Sequence, residues 1–205
     1  MTASEIAKEL NVDAVVEGSV LCLGDSICSQ FRLVKTSGEE RQIWNADYQE
    51  GKSQILNFYN RITRRIADEV KIELTTKEEK ILTETRTIDP QAYDAYMKGQ
   101  YYWEQLSADS IHLALQYFEL AIQKEPDWAD PYVGLAQAWG QYGRHGFIPR
   151  SIARANKVKY LEKAMELNPE SAKVHYGKAN HAVWTDWDWE QGEKAYIYTL
   201  ELTPN

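Results

Sequence analysis

Apolar residues along the chain change their spacing part-way through, and the change divides it into two kinds of structure. In residues 14–48 they follow strand logic. Residues 14–23 are rich in valine and leucine, and Gly24-Asp25 turns the chain into residues 26–35, where Ile27, Phe31 and Leu33 alternate with Cys28, Arg32 and Val34. A second turn at 36–40 leads to a third strand over 41–48, carrying Ile43 and Trp44. Before the strands, Thr2 and Glu5 have capping-box spacing and predict a short helix over 3–10. After them, Ile55, Phe58, Ile62, Ile66 and Val70 form the stripe of a helix over 53–74.

From Asp89-Pro90 onward the period is helical, and the chain repeats itself. Ala114, Phe118, Ala121 and Pro126 match Leu161, Ala164 and Pro169 in offset, and again Gly192, Tyr196 and Pro204. Such self-similarity predicts helix pairs stacked in an array, each pair burying a face against the next. The expected pairs are 90–104 with 109–124, 128–142 with 149–167, and 169–184 with 188–202. Asp89-Pro90 and Asn168-Pro169 are read as cap-and-proline starts, and Asp188 with Gln191 as another capping box. Residues 143–148 form a long insertion inside the second pair. The fold class expected is therefore an α+β amino-terminal domain (helix, three-stranded sheet, helix), then an all-α solenoid of helical hairpins. Its divisions are residues 1–75, a partly helical linker over 76–89, and units over 90–126, 127–169 and 170–205.

The repeated part resembles tetratricopeptide repeats. The likeness rests on Gly99, Tyr102, Ala114, Phe118, Ala121 and Pro126, then Tyr132, Leu135, Ala136, Trp139, Ala164 and Pro169, then Ala179, Ala182, Tyr196 and Pro204. Gly192 and Thr199 stand where alanine is usual. Residues 5–20, the Gly-Asp hairpin and the Ile43–Tyr48 stretch resemble the TolB amino-terminal-like domain, with Glu17-Gly18-Ser19-Val20 the best match. In bacteria that domain is joined to tetratricopeptide repeats downstream of a winged-helix DNA-binding domain, a class III adenylate cyclase or a kinase. Residues 186–189 are also similar to the third repeat of such proteins. The family's domain begins with one more apolar strand, so the resemblance implies a sheet with an open edge and a chain prone to self-association.

The resemblance implies a concave groove lined by the first helix of each pair, at Tyr96, Gln100, Val133, Gln137, Tyr176 and Asn180. These residues offer aromatic surface and amide groups to an extended peptide, so the expected partner is a protein or peptide segment; solvated helix surface is the competing reading. Arrays that clamp a peptide's terminal carboxylate use lysine, arginine and asparagine there, and of these six only Asn180 fits.

Composition narrows the function further. The 205 residues carry a net charge of −8, which disfavours nucleic-acid binding by this segment. No apolar run spans a bilayer and no signal peptide is recognisable, so a cytoplasmic location is expected. Catalytic, metal and cofactor sites are expected to be absent: there is no HExxH helix, no GxSxG elbow and no phosphate loop. His175 and His181 lie six apart, off a shared helix face. Trp184, Trp187 and Trp189, with Tyr196 and Tyr198, could stack a ligand, but filling the junction between neighbouring units is the expected use. Asp188 is expected to cap a helix and Asp186 to be solvated. Arg61, Arg64 and Arg65 are expected on a solvent face with Asp68 and Glu69 near. A two-residue turn at Gly24-Asp25 pairs Cys22 with Ile27 and Cys28 with Leu21, which favours free thiols over a disulfide.

The whole points to a non-enzymatic interaction or scaffold module, the sensory or regulatory part of a bacterial signalling protein. The alternative is a fragment of an adenylate cyclase or winged-helix regulator whose activity lies outside these residues.

Overall fold

A computed structural model describes residues 2–38, 40–71, 73, 75, 79, 82, 83 and 86–202, without the Cys22 side chain. The chain divides into two compact units, Met1–Ile88 and Asp89–Asn205. Half of the expected linker, and Pro204 of the third repeat, lie outside the described residues.

The first unit runs α1 (Ala3–Leu10), β1 (Ala14–Leu23), β2 (Ser26–Lys35), β3 (Arg41–Gly51), a 3-10 turn (Lys52–Gln54) and α2 (Ile55–Val70). Thr2 and Glu5 close the expected capping box, and Asn11 ends α1 in the left-handed region. The strands form an antiparallel sheet in the order β1-β2-β3. Leu21 faces Cys28 and Cys22 faces Ile27, the register of a two-residue turn, and Cys28 is a free thiol. The third strand runs three residues past its predicted end, because Tyr48, Gln49, Glu50 and Gly51 continue to pair with β2. Burial alternates along β2, with Ile27, Ser29 and Leu33 inward. Helix α2 supplies Ile55, Phe58 and Ile62 to the core. Phe58 meets Tyr48 edge-on at 5.7 Å and Phe31 at 6.4 Å between ring centroids. Arg61 pairs with Glu50 across to β3, and Arg65 with Glu69 at 2.6 Å.

The second unit is a helical region of six helices: α3 (Pro90–Trp103), α4 (Ala108–Lys124), α5 (Ala129–Arg144), α6 (Arg150–Leu167), α7 (Ala172–His181) and α8 (Trp189–Leu202). A five-residue π-turn, Ala182–Asp186, extends α7. Three antiparallel hairpins, α3–α4, α5–α6 and α7–α8, stack in sequence, with α3, α5 and α7 side by side. Phe118, fully buried in α4, holds the first stack together. A Cβ on Gly99 of α3 or Gly134 of α5 would lie 2.6 Å from its ring, so both helices need glycine there to approach it. Tyr96 packs on Phe118 at 5.9 Å and on Trp128 at 4.7 Å, and Val133, Ala164 and Val174 form a further core cluster.

Two proline-marked helix starts are corrected. Asn168 is the C-cap of α6 rather than an N-cap. The chain turns through Pro169-Glu170, and Ser171 caps α7 by accepting a hydrogen bond from Val174 N–H. Pro149 is an N-cap without a capping side chain, so α6 begins at Arg150.

Candidate functional site

The side-by-side helices α3, α5 and α7 leave a hollow of about 390 Å³. It is lined by Tyr96, Gln100 and Trp103 from α3, by Val133 and Gln137 among others from α5, and by Lys173 and Tyr176 from α7. Five of the six residues picked from the sequence thus come together. Asn180 lines an adjoining hollow of about 180 Å³, which shares Trp103, Gln137 and Tyr176 with the first. Its amide is engaged: it donates to the Tyr176 carbonyl at 3.1 Å and accepts from the Tyr196 hydroxyl at 3.1 Å. Val133 and Tyr96 are buried and form the floor, whereas Tyr176 is exposed.

The hollow also carries charges beyond the aromatic and amide groups expected from the sequence, since Asp130 and Lys173 line it. Lys173 pairs with Asp130, and its ammonium lies 5.8 Å from the centre of the Tyr96 ring. Burial alone would lower the Lys173 pKa, but Asp130 and Tyr96 outweigh it and hold it above its ordinary value. Burial pushes the Tyr96 phenol up, with Lys173 opposing. Arg144 and Lys157 line the smaller hollow.

Lys157 is the residue that the sequence reading passed over. Only 6% of it is exposed, and burial, helped by Arg144, draws its pKa down to about 8. Its ammonium donates to Thr185 Oγ1 at 3.2 Å. A signal was present in the sequence: counting back from Pro169 as from Pro126, Lys157 stands where the first unit has the fully buried Ala114. The lysine stem lies against Gly140, where a Cβ would stand at an ordinary contact distance of 3.4 Å from Lys157 Cδ.

Two expectations about the neighbouring aromatic-acidic run are overturned. Trp184, Trp187 and Trp189 are not buried as junction fillers: they are 51%, 63% and 58% exposed. Inside the third hairpin Val183 packs directly against Gly192, and Trp187 sits in the left-handed region (φ 58°). Asp186 is not merely solvated: it accepts from Arg154 Nη2 at 2.8 Å and lies 3.3 Å from His181 Nε2. Burial lowers the His181 pKa, and Lys157 lowers it further against the pull of Asp186. Asp188 does cap α8, accepting from Gln191 N–H at 3.0 Å.

Among the described residues, no three His, Cys, Asp or Glu side chains group to hold a metal ion, and no helix is long and apolar enough to cross a membrane. No protein-family model matches the chain. It is similar to a protein of Rhizobium meliloti (strain 1021) named "Putative adenylate cyclase 3", with 25% identity over 199 residues. The match takes in 97% of this chain and 30% of the relative, so the chain spans under a third of that protein's length.

Proposed function

We propose that this chain is a non-enzymatic interaction module of a signalling protein, in which tetratricopeptide-type hairpins receive a peptide or protein segment in the groove of α3, α5 and α7. The observation that carries the reading is the hollow into which Tyr96, Gln100, Val133, Gln137 and Tyr176 converge from three successive hairpins. Its buried aromatic and aliphatic floor suits side chains of an extended segment, and its amides suit a peptide backbone. Gly99 and Gly134 packed on Phe118 support the repeat assignment, because small residues at fixed offsets are what stacked hairpins require. The test is selection of peptides from a displayed random library on the 205-residue chain. Selected peptides lose affinity for a Gln137→Ala/Tyr176→Ala variant whose helical circular dichroism is unchanged. Peptides that bind this variant as tightly as the parent remove the groove from the account.

A second reading is favoured by the similarity to the Rhizobium protein. In it, the chain is a regulatory portion of a cyclase-like protein whose catalysis lies in other residues, with the first unit of the TolB amino-terminal-like type. It predicts no conversion of ATP to cyclic AMP by residues 1–205, and turnover by the purified chain overturns it.

A further inference from the structure

A third cavity, of about 430 Å³, lies between the end of α5, the start of α6 and the π-turn. Its lining concentrates positive charge in a chain whose net charge is −8. Arg144, Arg150, Arg154 and Lys157 face it, with Asp186 their carboxylate neighbour through Arg154. The first turn of α6 contributes Arg150 and Ser151, and the N-cap Pro149 offers those backbone N–H groups no side-chain acceptor. The first turn of an 18-residue helix therefore adds its partial positive charge to the same cavity. Trp184 and Trp187 form an indole wall, and Arg144 already lies over the Trp184 ring at 5.4 Å.

We propose that this cavity binds a nucleotide, its phosphates held by Arg150, Arg154, Lys157 and the first turn of α6, and its base laid on Trp187. Guanidinium groups and helix N-terminal amides match phosphate oxygens in geometry and charge. The exposed Trp187 ring offers the flat apolar face that a base needs, and the volume suits a small ligand. Several cations beside one carboxylate leave a positive excess that a single carboxylate ligand would not neutralise but a diphosphate would. Lys157 adds a separate argument. An ammonium in the place of a buried alanine weakens the fold, and such a departure from the repeat's own register is expected where a site is built. The cavity is distinct from the peptide groove, which meets it only through the smaller hollow's Gly140, Arg144 and Lys157.

Isothermal titration of the full chain at low salt with ADP, pyrophosphate and adenosine tests the proposal. ADP is expected to bind with a submillimolar Kd, pyrophosphate more weakly, and adenosine not measurably. Lys157→Met, and independently Arg150→Ala on the exposed first turn, each lower ADP affinity by about tenfold or more. Trp187→Ala brings ADP down to the affinity of pyrophosphate. No heat with ADP at about 1 mM, or ADP binding that both cation variants leave intact, overturns the site. Pyrophosphate binding as tightly as ADP overturns the nucleotide assignment.

Discussion

Ala114 in α4 and Lys157 in α6 occupy the same register position of two successive hairpins, and both are buried. Around Ala114 the packing is closed: Ile111, Phe118 and Ala121 are all without exposed surface. Around Lys157 the stem lies against Gly140 of α5, and the ammonium reaches the hydroxyl of Thr185 in the π-turn. One framework thus makes a dry core in the first hairpin and a charged cavity in the second. The difference shows that stacking fixes where a side chain is buried, while a polar partner supplied by a local helix irregularity lets a charge be accommodated there.

Moving the lysine breaks the comparison most severely. Ala114→Lys places an ammonium in a site closed by Ile111, Phe118 and Ala121, and the second unit is expected to lose roughly 3–5 kcal/mol or fail to fold, read by urea denaturation. Phe118→Ala is expected to cost about 3–5 kcal/mol in the same measurement, because it empties the space between Gly99 and Gly134. The converse change sharpens the contrast. Lys157→Met should stabilise the second unit, by up to roughly 3 kcal/mol, because it removes a charge held about 2.5 pH units below its ordinary pKa. The sign follows from proton binding. Below pH 8 both folded and unfolded Lys157 are protonated and the destabilisation is complete. Between about pH 8 and 10.5 only the unfolded state keeps the proton, so stability rises with pH, and above that range the loss is gone. The parent's stability should therefore climb relative to that of Lys157→Met across this window. Gly134→Ala is expected to cost about 1–3 kcal/mol through the clash with Phe118. The smallest effect belongs to Arg65→Ala, within about 0.5 kcal/mol, since its pair with Glu69 is half-exposed.

Elements whose signals are local were legible in the sequence. The capping box at Thr2, the hairpin register at Gly24-Asp25 and the hairpins themselves follow from residues adjacent in the chain. Tyr96, Gln100, Val133, Gln137 and Tyr176, picked from the repeated pattern, line one hollow of the second unit. What was missed depends on residues far apart in sequence. Lys173 meets Asp130 across 43 positions and Lys157 meets Thr185 across 28. The exposure of the three tryptophans depends on the π-turn, which no pattern of apolar residues announces. The Asn168-Pro169 start failed because proline fixes a turn as readily as a first helical residue, and Ser171 supplied the better cap.

Phe118 is shared property. Its ring touches the place of the missing Cβ in its own hairpin at Gly99 and in the following one at Gly134. Neither hairpin is then an interchangeable cassette: excising or duplicating one leaves an unfilled notch or a ring without its seat. The repeats look modular in sequence but are keyed to their neighbours, so this array would be inherited and exchanged as a block.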